Sequence, residues 1–280
     1  MEHTSPAPDL ITSRRNPLVA LTRALHQAKG RREQGLLLLE GTHLLQEVLR
    51  MGLKPQRILA TPDWIARHGA LLTVRPHPLP LQPVGEAVLQ AIATTEHPDG
   101  VVLTLRADAL PHPNGTADFV LALDQLQDPG NLGTLLRTAL AAGVKAAWLG
   151  GGADPWQPKV LRASAGAALA LPMQRETDRI GLIALLETAR TAGHQLVATL
   201  VEGSSAAEAP IPYWQLDWTR PTVLLLGNEG AGLHPELSAL ATHCVTIPHS
   251  SAVESLNVAV AAGPLLLERW RQQWQRAAIP

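Results

Sequence analysis

The segment TVLLLGNEGAGLHPELSAL, residues 222–240, constrains the fold more than any other part of the chain. A run of β-branched and leucine residues stops at Gly227, glycines recur at 230 and 232, and a helical pattern follows. A strand that breaks into a glycine-rich turn before a helix is an α/β device that brings backbone N–H groups close to a ligand. The order here is G-x-x-G-x-G, whereas the dinucleotide turn requires G-x-G-x-x-G. A phosphate-cradling loop would continue with Lys and then Ser or Thr, and this chain continues with Leu233 and His234. Both common nucleotide readings fail on spacing.

The rest of the chain alternates in the same way. The pattern predicts strands at 36–39, 57–61 and 101–105, helices at 42–51 and 86–93, and an extended proline-rich stretch at 71–84. These make a small layered α/β domain over 11–106, after a polar tail at 1–10. ADALPHPNGTA, residues 107–117, concentrates Pro, Gly, Asn and Asp and is the linker. From 118 to 280 the pattern predicts strands at 119–123, 144–149, 195–200, 222–226 and 244–248. Helices fall at 131–142, near 157–169, at 180–192 and at 256–276. Such alternation specifies a mostly parallel sheet covered by helices on both faces.

Composition excludes several classes. With 280 residues and 46% hydrophobic content, the chain can bury one large core or two ordinary ones. The single cysteine, Cys244, rules out a disulfide framework or a cysteine-based zinc site and fits a reducing compartment, hence the cytoplasm. The eleven histidines never take H-E-x-x-H or H-x-H spacing, so no metal is expected. No apolar run approaches the ~18 residues that span a membrane.

The net charge of −1 hides an uneven distribution. Residues 1–106 carry twelve Lys and Arg against nine Asp and Glu, and ITSRRNPLVALTRALHQAKGRR (11–32) holds six basic residues and no acid. Three readings compete for that stretch: a solvated helix face, a presequence, or a polyanion-binding patch.

Ligands of parallel sheets bind beyond the carboxyl ends of strands, and three polar clusters fall there. Asn131 and Arg137 lie in LDQLQDPGNLGTLLRTALAAG, with Asn131 placed at the helix start. Gly227, Asn228 and Glu229 form the second cluster. Ser255 and Asn257 stand at a helix entry in IPHSSAVESLNVAVAAG. Singly, Asn131 and Ser255 read as N-caps, Arg137 as a surface residue and Glu229 as a turn carboxylate. Together they end strands of one sheet.

N-x-G-x-x-x-R (Asn131, Gly133, Arg137), L-G-N-E-G-x-G-L (226–233) and I-P-x(6)-S-L-N-V-A (247–259) resemble the three motifs of the SpoU, or TrmH-type, RNA 2′-O-ribose methyltransferases. ADPWQPKVLRASAGA is similar to the segment between the first two motifs. The stretch from Ile11 resembles the start of that family's ribosomal-protein L30e-like RNA-binding domain. The resemblance implies S-adenosylmethionine, bound in a C-terminal trefoil knot by Thr199, Leu200, Gly227, Asn228, Ile247 and Leu256. Ile247 and Leu256 would sandwich the adenine. It implies a catalytic set of Arg137, Asn131, Glu229, Ser255 and Asn257, with Asn131 and Glu229 orienting Arg137. A free arginine is a poor base because its pKa exceeds about 12. Arg137 is therefore expected to steer the ribose hydroxyl and stabilise its developing charge. Arg14, Arg15, Lys29, Arg31 and Arg32 are the expected RNA contacts. Ribosomal RNA of the large subunit is the first expected substrate and tRNA the second. A homodimer is expected through the closing helix, where Trp270 and Trp274 stand at i, i+4 spacing. Pro264 should kink that helix. A non-catalytic RNA-binding protein and a nucleotide-dependent oxidoreductase are the alternatives. The presence of Asn131, Arg137, Glu229, Ser255 and Asn257 disfavours the first, and the glycine spacing with no acidic residue at a suitable strand end disfavours the second.

Overall fold

The computed structural model describes residues 8–73, 78–113, 117–200 and 209–277. The chain forms two compact units, residues 1–110 with 156–166, and residues 111–155 with 167–280.

The first unit opens with helices α1 (Pro17–Ala24) and α2 (Ala28–Gln34). Strand β1 (Leu36–Glu40), helix α3 (Thr42–Arg50), strand β2 (Arg57–Ala60) and helix α4 (Pro62–His68) follow. Strand β3 (Leu81–Pro83), helix α5 (Glu86–Ile92) and strand β4 (Val101–Arg106) complete its sheet, ordered β1-β4-β2-β3. Strand β4 runs antiparallel to both β1 and β2, and β3 runs parallel to β2. Val19 and Leu25 pack with Leu38, Leu59, Val88, Leu89 and Ile92 in its core. The basic stretch is thus an integral pair of helices, which removes the presequence reading.

Helix α7 (Pro158–Ala163) belongs to the same unit, although the sequence pattern places it with the domain beginning at 118. The reason is a buried charge. Arg162 Nη1 lies 3.5 Å from Glu40 Oε2 at the end of β1 and also donates to the Thr94 hydroxyl. The single helix read near 157–169 is in fact two, because Ala165 (φ 48°) and Gly166 (φ 90°) leave the right-handed region.

The second unit is a seven-stranded sheet. Its strands are β5 (Phe119–Asp124), β6 (Ala146–Gly150), β7 (Met173–Glu176), β8 (Gln195–Thr199), β9 (Ile211–Pro212), β10 (Thr222–Leu226) and β11 (His243–Thr246). The order is β7-β6-β5-β10-β8-β11-β9, and each recorded pairing is parallel. Strands β5 and β10 are buried along their whole length, as expected when helices cover both faces. Those helices are α6 (Pro129–Ala141), α8 (Ala167–Ala170), α9 (Arg179–Thr191), α10 (Pro235–Ser238) and α11 (Val258–Ala277). Strand β7, with sequence MQRE, carries no apolar alternation and was not legible. Helix α11 runs uninterrupted through Pro264. Arg269 anchors it, donating to the carbonyls of Trp218 (2.9 Å) and Arg220 (2.7 Å) and to Asp118 (2.6 Å).

Candidate active site

Strands β5, β8, β10 and β11 end at one edge of the sheet, and there the ends of β8, β10 and β11, the turn after β10 and the starts of α6 and α11 line a cavity of about 400 Å³. That volume suits a ligand of cofactor size. Each loop is shaped by local chemistry. After β10, Asn228 N–H donates to Gly232 O (2.9 Å) and Gly232 N–H donates back to Asn228 O (3.0 Å). Asn228 Oδ1 accepts the N–H groups of Gly230 (2.9 Å) and Ala231 (3.1 Å), and its Nδ2 donates to Gln125 O (2.9 Å). A Cβ on Gly227 would lie 2.1 Å from the Gly232 carbonyl carbon, so only glycine lets the turn close on itself. This answers the question of the glycine order. The amides of Asn228, Gly230, Ala231 and Gly232 bond within the turn rather than turning outward as a phosphate cradle would require.

Three distant segments meet at the cavity mouth through Glu229. Its carboxylate accepts the N–H groups of Gln127 (3.1 Å) and Asp128 (3.0 Å) and faces Asn131 Nδ2 at 3.3 Å. Asn257 Nδ2 then donates to Asn131 Oδ1 at 3.1 Å. Burial disfavours the Glu229 charge, but the two amides and Asn131 outweigh it and hold the carboxyl below its ordinary range.

Two capping assignments change. Asp128, not Asn131, caps α6, accepting the Asn131 N–H at 2.7 Å. The cap therefore leaves the Asn131 amide side chain free to link Glu229 with Asn257. At the third loop Asn257, not Ser255, caps α11, accepting the N–H groups of Ala259 (2.9 Å) and Val260 (3.3 Å). Ser255 is exposed at the cavity wall.

Thr199, Leu200, Gly227, Asn228, Ile247 and Leu256 all line the cavity. The Thr199 hydroxyl is buried with no hydrogen-bond partner among the described residues, so it is able to bond a polar group of a ligand in the cavity. Between it and the aliphatic faces of Ile247 and Leu256, the wall suits an adenosyl group with one polar edge. The Asn228 side chain, by contrast, is engaged by the Gly230 and Ala231 amides of its own loop and by the Gln125 carbonyl beyond β5.

Arg137 departs from expectation. It is exposed on α6, it contacts neither Asn131 nor Glu229, and it has no side-chain partner among the described residues. Six residues of helix carry it about 9 Å along the axis from Asn131, beyond that amide's reach.

In the first unit, Arg14, Arg15, Lys29 and Arg32 are exposed, but Arg31 is only 7% exposed. Its Nη1 donates to the carbonyls of Leu25 (2.8 Å) and His26 (3.0 Å), closing the end of α1. Arg31 is therefore a structural residue, not a phosphate contact. Residues that the sequence pattern missed include His249 and Thr246, which also line the cavity. Another is Asp124, which accepts the His234 N–H (3.2 Å) and pairs with Arg179 (3.3 Å) at the end of β5.

The chain is similar to known proteins along nearly its whole length. The SpoU rRNA Methylase family matches residues 118–267, and the MRM3-like substrate binding domain matches residues 16–103. An uncharacterized tRNA/rRNA methyltransferase of Synechocystis is 45% identical over 94% of both chains. The 23S rRNA (guanosine(2553)-2′-O)-methyltransferase RlmP of Bacillus subtilis is 31% identical over 91% of this chain and 97% of its own. The crystal structure of an AdoMet-bound rRNA methyltransferase from Sinorhizobium meliloti superposes with a TM-score of 0.77 at 34% identity, covering 94% of this chain and 98% of the other. Family match, near full-length relatives and a cavity suited to an adenosyl group agree: the chain belongs to the SpoU rRNA methylase family and is an RNA methyltransferase that uses S-adenosylmethionine.

Proposed function

We propose that this chain methylates a ribose 2′-oxygen in RNA, with large-subunit ribosomal RNA as the first substrate class. The observation that carries the reading is the Glu229–Asn131–Asn257 relay, which ties three loops together at the mouth of a cofactor-sized cavity. The likeness to a 23S rRNA 2′-O-methyltransferase supports the ribosomal choice. The Synechocystis relative, named for both RNAs, keeps tRNA as the second reading. The presence of every motif residue argues against a non-catalytic role.

When bound, S-adenosylmethionine supplies a methyl group already activated on sulfur. The chain's part is then alignment. Asn131 and Asn257 fix the hydrogen-bonding edge against which the hydroxyl lies, and Glu229 holds that edge in place. Arg137 stabilises the developing alkoxide and the neighbouring phosphate with a planar cationic fork. Because Arg137 stands away from Glu229, we place it in the site of a second copy. Helix α11 supports a homodimer, since Val260 (63% exposed), Leu267, Trp270 and Trp274 (71%) form an apolar strip on its free side. The knotted path of the closing segment belongs to the same proposal. It is supported by β10 and β11 flanking β8 although both follow it in the chain.

Mapping 2′-O-methyl positions in ribosomal and transfer RNA, from cells with and without the gene, tests the substrate. No lost position in either RNA would overturn it. Arg137→Ala should lower kcat more than about tenfold, ~1.4 kcal/mol, with cofactor affinity unchanged. Mixing inactive Arg137→Ala and Glu229→Gln chains tests the shared site. Heterodimers regain activity if Arg137 works across the interface and stay inactive if it works within its own chain.

A further inference from the structure

The first unit has a recess of its own, away from the cavity of the second. Residues two apart on a strand share a face. Leu36, Arg57 and Thr104 therefore stand on the side of the sheet where Leu38, Leu59 and Val102 join the core with α1 and α5. At this edge Leu18, Leu21 and Leu25, together with Leu36, wall a recess of about 150 Å³. Leu21 is 55% exposed at its mouth. The recess is smaller than the roughly 300–1,000 Å³ that enclose a whole small molecule. It admits a single ring system rather than a cofactor.

Its polar groups are set in place without using all their bonds. Thr104 lines the recess and is only 5% exposed, yet its hydroxyl has no hydrogen-bond partner among the described residues. A buried hydroxyl in that state costs free energy until something bonds it. Gln34 Nε2 donates to Leu21 O at 3.0 Å, which fixes the amide and leaves its Oε1 as an acceptor. Arg57 is exposed on the wall, and its guanidinium also has no partner among the described residues. Arg31 holds the Leu25 and His26 carbonyls, so the Leu25 wall is fixed before any ligand arrives.

The surroundings select the occupant. Residues 11–32 hold six basic side chains and no acid. Arg23 on α1 and Arg32 on α2 are exposed, with no side-chain partner among the described residues. The acids of the adjoining segments are paired, Glu33 with Lys29 at 3.8 Å and Asp108 with Arg106. A polyanion bearing flat rings with polar edges matches both the recess and the cations. An apolar peptide side chain would leave the Thr104 hydroxyl and the arginines unused. We infer that the recess takes one unstacked nucleobase of single-stranded RNA. The leucines cover its faces, Thr104, Gln34 and Arg57 bond its edge, and Arg23 and Arg32 meet the flanking phosphates. Phosphate contacts position a strand but carry no base information, so the recess supplies the base-dependent part of binding. This inference rests on RNA being the substrate.

Fluorescence anisotropy on the full chain tests it. The probes are labelled single strands of oligouridylate, oligocytidylate, oligoadenylate and oligoguanylate, and an abasic ribose–phosphate strand of the same length, each titrated over a range of salt. At least one base-bearing strand should bind about tenfold more tightly than the abasic one. Leu21→Asn and Thr104→Val change no charge, and thermal melts verify their folding. Each should remove most of that tenfold advantage while leaving the salt slope, the abasic affinity and S-adenosylmethionine binding unchanged. The inference is overturned if the abasic strand binds as tightly as all the others, if both variants keep the advantage, or if they weaken the abasic strand equally. Wild-type protein that binds none of the strands would overturn the RNA reading itself, and this recess with it.

Discussion

Glu40 in the first unit and Glu229 in the second each follow or end a strand, and each is held below its ordinary pKa by surrounding donors. Burial is the largest single influence on both and opposes the charge. At Glu40 the hydrogen bonds from Thr95 and Thr94, with Arg162, outweigh it. At Glu229 the Asp128 and Gln127 amides and Asn131 do so. The surroundings differ in one respect. The Glu40 side chain is 2% exposed and its neighbours are hydroxyls, amides and one guanidinium, all of them directed inward. Glu229 is exposed at the mouth of a cavity, and the chain of bonds from it continues through Asn131 to Asn257, which faces outward. The same electrostatic device thus serves structure where it is sealed and a site where it stays open to a ligand.

Removing each carboxylate should separate these roles. Glu40→Ala leaves Arg162, Thr94 and Thr95 without their acceptor inside the first unit. The expected loss is about 3 kcal/mol in urea unfolding, with S-adenosylmethionine affinity unchanged because that cavity lies in the other unit. Unaltered unfolding would break the comparison. Glu229→Gln keeps the shape but weakens the grip on the Gln127 and Asp128 amides. It should reduce methyl transfer at least tenfold, about 1.4 kcal/mol, while stability changes by less than about 1 kcal/mol.

Acid should affect the sealed carboxylate next. The folded pKa of Glu40 lies below its unfolded value, so its contribution to stability is complete above the unfolded pKa and is lost as pH falls through the folded one. Urea midpoints should drop below about pH 4 in the wild type and respond less to acid in Glu40→Gln. The smallest effect separates two neighbouring arginines. Arg32→Ala should flatten the slope of log RNA affinity against log salt by about 0.7–0.9. Arg31→Ala should leave the slope unchanged and lower stability by about 1–2 kcal/mol, because its guanidinium closes α1.

Much of the second unit was legible because its signals are local. Alternating strand and helix periods located β5, β8, β10 and the helices around them, and the three polar clusters fell at strand ends where a parallel sheet presents ligands. What failed was partner choice. Asn131 and Ser255 have the chemistry of caps, yet Asp128 and Asn257 cap the helices, since two or three residues of register decide which side chain meets the free amides. Arg31 and Arg32 look alike in sequence, and only the position of α1 makes one a carbonyl donor and leaves the other exposed.

The sequence by itself determined the α/β class, the mostly parallel second sheet and the rejection of a nucleotide-phosphate loop. Periodicity, turn chemistry and glycine spacing act over a few residues, so each can be read without knowing the fold. The tertiary structure alone decided that α7 joins the first unit, that Arg137 stands apart from Glu229, and that Glu229 joins Asn131 and, through it, Asn257. Those contacts join positions about a hundred residues apart, and it is the order of strands in the sheet that brings them within hydrogen-bonding distance.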